Sequence, residues 1–160
     1  MRFEPLLLAT LLILAACSPG AEVPAAERAA ASFHAQLDAG RFTAIYAAAS
    51  EEMKRTTSQQ DLVRLLEAVH ARLGRFRGGR TAGWNDSRTT AGRFVTIDYA
   101  ATYETGAAQE NFVFRIDGGR AVLAGYHVDS KALIEPPAQP PAESAAQPST
   151  PPPAEPSVNQ

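Results

Sequence analysis

The 160-residue chain has one cysteine, one tryptophan and three histidines. A single cysteine excludes an intramolecular disulfide and a thiolate zinc cluster, so the fold has to rest on its apolar core. Lys and Arg number 15 against 17 Asp and Glu, a net charge of −2. That balance gives no electrostatic case for nucleic acid or for an anionic membrane surface. The sequence has no glycine-rich phosphate loop, no His-Glu-x-x-His zinc motif and no nucleophile elbow around its serines. Neither a metal nor a cofactor is expected. Long apolar runs are also absent: Leu6 to Ala16 is well short of the roughly 20 residues a membrane-spanning helix needs.

What is present begins with that short run. It ends in Leu14-Ala15-Ala16-Cys17, small residues at the close of a hydrophobic stretch, the layout of an export signal. The four residues resemble the lipobox of bacterial lipoproteins. The resemblance implies a signal peptide over 1–16, acylation of Cys17, and a lipid bilayer as partner through that cysteine. Ser18, a non-aspartate after the cysteine, implies sorting to the periplasmic face of the outer membrane. Residues 17–24 then form a tether. At the other end, 135–160 holds most of the prolines and a single large aliphatic residue, Val158. Such a segment buries too little apolar surface to offset the entropy of ordering, and a disordered, Pro-rich tail is expected.

Between these ends, 25–134 shows periodic apolar patterning and has the length of one domain. Pro24 suits a helix start, Ala26, Ala29, Ala30, Phe33 and Leu37 share a face, and Gly40 ends the helix. Phe42, Ile45, Tyr46 and Ala49 indicate a second, short helix. Ser58 is a candidate N-cap for a third, whose stripe is Leu62, Leu65, Leu66, Val69 and Leu73, with Gly74 as its end. Glycine-interrupted Arg75 to Trp84 reads as an edge strand, and strands follow over Arg93 to Glu104, Glu110 to Ile116 and Ala121 to Val128.

Turn positions give a register. Gly118-Gly119 as a two-residue turn places Ile116 opposite Ala121, Phe114 opposite Leu123 and Phe112 opposite Gly125. A four-residue loop over Thr105 to Ala108 places Tyr103 opposite Glu110, Ala101 opposite Phe112, Tyr99 opposite Phe114, and pairs Asp98 with Arg115 on the far face. Tyr103, Glu110 and His127 then form a row at one end of the concave face. A phenol, a carboxylate and an imidazole side by side can bind a polar ligand group or move a proton. His34 and His70 stand in no ligand motif and read as solvated or partly packed. Val122, Ala124, Tyr126 and Val128 make the last strand apolar on its other face as well. That calls for cover from the first strand, from Lys131 to Ile134, or from a second protomer.

Helices followed by a curved antiparallel sheet make an α+β domain. The stretches Leu37-Asp38-Ala39-Gly40-Arg41-Phe42, Leu73-Gly74 and Ala124-Gly125-Tyr126-His127-Val128 resemble small lipoproteins of the nuclear transport factor 2-like superfamily, with its cystatin-like cone. The superfamily includes isomerases, dehydratases and non-catalytic binders, so the fold does not choose a function. The expected function is a non-catalytic binding or accessory module of the cell envelope, with a homodimer or an envelope protein as partner. The alternatives are an isomerase-like enzyme using the concave face and a structural protein acting through its Pro-rich tail.

Overall fold

A computed structural model describes residues 20–134; the lipobox with Cys17 and the Pro-rich tail lie outside the described residues. The order is α1 (Val23–Asp38), α2 (Phe42–Ala47), α3 (Glu51–Thr56), α4 (Gln59–Leu73), β1 (Phe76–Thr89), β2 (Gly92–Tyr103), β3 (Gly106–Asp117), β4 (Arg120–Asp129) and α5 (Lys131–Ile134). The strands form one antiparallel sheet in the order β1-β2-β3-β4, a meander. This is the α+β arrangement of helices on an antiparallel sheet that the sequence predicts.

Apolar periodicity places the helices. Leu62, Leu66, Val69 and Leu73 of α4 are buried, whereas Leu65 stands at the edge of the stripe, 37% exposed. Ser58 caps α4 by accepting from Asp61 N–H at 3.2 Å. In α1, Ala26, Ala30, Phe33 and Leu37 are buried against Val95, Ile97, Phe112 and Phe114 of the sheet. Two short helices add to the three expected from the sequence. Ser50 caps α3, and its backbone N–H donates to Leu123 O at 2.8 Å, tying α3 to β4. The segment Lys131–Ile134 forms α5, and Arg72 of α4 donates to Leu133 O at 2.8 Å. Ala132 and Leu133 pack on the core beside α4.

The β3–β4 turn is Gly118-Gly119, with φ of 56° and 78°, the pair of positive values that a tight primed turn needs. Ile116–Ala121 and Phe114–Leu123 pair as predicted. Beyond them the pairing jumps: Val113 lies opposite Gly125 and Phe112 opposite Tyr126, because Ala124 is an extra residue in β4. That bulge exchanges the two faces of the strand. Tyr126 and Val128 turn in toward the helices, and the need for a second protomer to cover them disappears. Gly125 faces Val113 on the open side, not Phe112.

The β2–β3 register also differs. The turn is Glu104-Thr105, with Tyr103 opposite Gly106, Ala101 opposite Ala108, Tyr99 opposite Glu110 and Ile97 opposite Phe112. Helix α4 explains the choice. Thr105 N–H donates to Leu73 O at 3.1 Å and its hydroxyl to Arg72 O at 3.0 Å, satisfying carbonyls that the end of α4 leaves unpaired. The slip is four residues, an even number, so each side chain keeps its face. Asp98 pairs with Asn111, whose amide donates to it at 2.8 Å, and Arg115 reaches Glu52 instead.

The chain enters the domain through a fixed corner. Val23 N–H donates to Gly20 O at 3.0 Å, and Gly20 N–H to Asp86 at 3.4 Å. Arg93 holds Asp86 at 2.6 Å and Glu22 at 3.0 Å. Hydrogen bonds from Arg93, then from Gly20 N–H, hold the Asp86 carboxyl below its usual range. Part of the expected 17–24 tether, from Gly20 on, is thus built into the domain.

Candidate functional site

The concave face is filled. Phe33, Leu37, Leu62, Leu66, Val69, Leu73, Ile97, Phe112 and Phe114 are all at most 3% exposed. Within this apolar packing lies one carboxylate, Glu110 on β3, 2% exposed. Burying a charge in such surroundings is costly unless its oxygens are bonded. Here they are: Oε2 faces His34 Nε2 at 2.8 Å, and Oε1 accepts from Tyr103 at 2.8 Å and from Tyr126 at 2.7 Å.

Each partner comes from a different element, which makes the group a joint as well as a polar cluster. His34 projects from α1, Tyr103 from the end of β2 and Tyr126 from β4. Tyr103 is four residue pairs removed from Glu110 along the ladder, and the intervening pair on the same face is Ala101 and Ala108, small enough for the ring to cross. Tyr126 reaches Oε1 because the Ala124 bulge turns it inward. The His34 ring stacks on Phe76 at 3.8 Å between centroids, with Phe33 and Phe112 presenting edges. Its Nδ1 is buried without a hydrogen-bond partner. Nε2 therefore carries the proton that faces the carboxylate, and a second proton on Nδ1 would be a buried donor with no acceptor.

The tyrosines respond to this setting. Burial, reinforced by the Glu110 charge, pushes the Tyr103 and Tyr126 hydroxyls far above the ordinary phenol value. Both stay protonated donors to Glu110. Chemically, the cluster can fix a proton and lock three strands to α1.

Of the row expected from the sequence, Tyr103 and Glu110 meet directly, but His127 does not join them. It lies opposite Asn111, exposed on the other face of the sheet, since the bulge reverses β4 before it is reached. His34 takes the imidazole position, buried where a solvated or partly packed side chain was expected. His34 was findable in part: it sits one residue past Phe33 on the apolar face of α1. Tyr126 was hidden by the bulge.

Open grooves border this packing. One of about 560 Å³ runs between α1, α2 and the β3–β4 turn, lined by Phe33, Gln36, Ile45 and Arg120 among others. Another of about 520 Å³ lies between the β2–β3 turn and the start of α5. Neither is lined by Tyr103, Glu110 or His127. Among the described residues no three His, Cys, Asp or Glu side chains gather as a metal site, and no helix is long and apolar enough to cross a membrane.

No curated protein matches the chain at a significant level. The model of one family does, over residues 29–126, a span that holds all four members of the Glu110 cluster and more than half of the chain. The chain belongs to the DUF4019 family, proteins of unknown function.

Proposed function

We propose that this protein is an exported lipoprotein, acylated at Cys17 and held at the periplasmic face of the outer membrane. There its domain works as a non-catalytic binding or accessory module with a nuclear transport factor 2-like cone. One observation carries the non-catalytic half. Among the described residues, the one buried carboxylate, Glu110, has both oxygens engaged by His34, Tyr103 and Tyr126, and apolar side chains pack around it. An isomerase working from the concave face needs an apolar cavity joined to a few reachable polar groups. The anchoring half rests on the Leu14-Ala15-Ala16-Cys17 pattern in the sequence.

Two measurements test the two halves separately. Replacing Cys17 with Ala, or inhibiting lipoprotein signal peptidase, should change the mass of the mature protein and release it from membranes; unchanged mass and fractionation would refute the anchor. For the module, a small-molecule screen by NMR should give shifts only at surface residues. Ligand-induced shifts centred on Phe33, Phe112 and Glu110 would revive the enzyme.

A further inference from the structure

We propose that the corner formed by Gly20 and Trp84 faces the bilayer, with the Trp84 ring seated in the headgroup layer of the membrane that holds Cys17. This rests on the proposed acylation of Cys17 and adds to it an orientation and a contact surface.

Chain length is the first support. Gly20 is fixed to the domain through Asp86 and Val23. Only Ser18 and Pro19 separate it from Cys17. Three residue steps span at most about 11 Å when fully extended. The headgroup layer on each side of a bilayer is roughly 5–7 Å thick. A domain on so short a lead must keep the Gly20 corner at or near that layer.

The second support is what occupies the corner. Trp84 packs on Gly20 so closely that a Cβ added there would lie 2.9 Å from the ring. Yet the indole remains 49% exposed, one of three large apolar side chains left open among the described residues. Its orientation is built in. A bulge between Thr81 and Gly83 on β1 puts Trp84 on the helix side, opposite Ile97, where regular alternation from Thr81 would turn it away. An indole with an apolar body and one N–H donor suits the boundary between headgroups and acyl chains.

Charge does not oppose the contact. Arg93 bridges Asp86 and Glu22, and Arg88 adds a second positive charge near Asp86, so two cations stand against the two carboxylates at this corner. The protein's net charge of −2 supplies no attraction of its own. Attachment instead supplies a high local concentration, under which one interfacial indole is enough to orient the domain.

The chain's single tryptophan makes the test direct. Mature protein beginning at Cys17 is coupled through that thiol to a maleimide lipid in phosphatidylethanolamine/phosphatidylglycerol vesicles whose acyl chains are brominated near the headgroup. Trp84 emission should shift to the blue and be quenched relative to unbrominated vesicles. The double variant W84F/I134W moves the reporter to an exposed position at the opposite end of the sheet, where emission should be unquenched. Equal emission of Trp84 in the two vesicle types, with the protein still bound, overturns the proposal, as does equal quenching at both positions. Contact of this corner with another protein instead would appear as a blue shift without bromine quenching, which also overturns it. Chemical coupling separates this result from cellular acylation, which the mass of the cell-made protein decides independently.

Discussion

Removing the Glu110 carboxylate should be among the most destabilising single changes available in this domain. Glu110→Ala leaves three buried donors, His34 Nε2 and the hydroxyls of Tyr103 and Tyr126, without their acceptor. Each orphaned group costs about 1–3 kcal/mol, and water entering the space left by the side chain recovers part of the sum. Breaking a buried charged cluster by deleting one partner costs about 3–5 kcal/mol, and about 4 kcal/mol is the expected loss. With a urea m-value near 2 kcal/mol/M for a domain of this size, the unfolding midpoint should fall by about 2 M. A protein of ordinary stability, about 5–15 kcal/mol, can be left largely unfolded by such a change. Glu110→Gln supplies the measurable companion. Its carbonyl still accepts from both tyrosines, but its amide N–H faces His34 Nε2. The ring must then accept at Nε2 and carry its proton on Nδ1, which has no partner. That costs about 1–3 kcal/mol. In a His34→Phe background this tautomer penalty is gone, and Glu110→Gln should cost about 1 kcal/mol less than in the parent, a coupling that a double-mutant cycle resolves. Urea unfolding followed by circular dichroism checks the series. A Glu110→Ala protein with a native spectrum and less than about 1 kcal/mol of destabilisation would falsify the premise that Glu110 joins α1 to the sheet.

The same cluster makes the fold sensitive to alkali. Tyr103 and Tyr126 keep their protons in the native state at pH values where the unfolded chain loses them, so their stabilisation is complete below pH 10 and declines above it, by about 1.4 kcal/mol per pH unit for each tyrosine. Tyr126→Phe should lower stability at neutral pH by about 1.5–3 kcal/mol, a lost bond to a charged group, and should make the alkaline slope between pH 10 and 11.5 shallower by one tyrosine's share, about 1.4 kcal/mol per pH unit. Leu66→Ala, at a fully buried position of α4, should cost about 2–5 kcal/mol in the same assay; a neutral result would mean that α4 does not face the core. Ser50→Ala removes the N-cap of α3 and should cost about 1 kcal/mol, with amide exchange faster in α3 than in α4.

Much of the fold was legible because its elements obey one local rule at a time. Helix α4 carries an apolar stripe of period 3.6, a Ser58 cap and a terminal Gly74 whose φ of 72° suits glycine. Gly118-Gly119 named its own turn. Other elements lacked such a rule. Helix α3 buries only Met53 and so has no stripe; its trace in sequence is the Ser50 cap, with Glu51 and Glu52 in the first turn and Lys54 and Arg55 in the last. Strand β1 runs on to Thr89, but three glycines and two bulges break its alternation. The Glu104-Thr105 turn has no glycine or asparagine to announce it. It is selected by bonds to α4, a partner more than thirty residues back in the chain.

The candidate site was lost for a reason of parity. A strand shows alternate residues to its two faces, so an error of register is harmless when even and inverts the strand when odd. The β2–β3 pairing sits four residues from the expected one, and Tyr103 and Glu110 still share the helix-facing side and still bond. In β4 the error is one residue, the extra Ala124, and everything past it changes sides. His127 leaves for solvent, and Tyr126 arrives at Glu110. Gly125, an isolated glycine within the strand, is the one local mark of the bulge, and it does not fix the register because either face assignment puts an apolar residue inward up to that point. What selects it is satisfaction of charge. With Tyr126 inside, Glu110 Oε1 has a second hydroxyl; with His127 inside, the cluster would hold two imidazoles around one carboxylate, and Tyr126 would face water. A buried acid is therefore a constraint on its neighbours' register, and its donors have to be sought on every element that can reach it, α1 included.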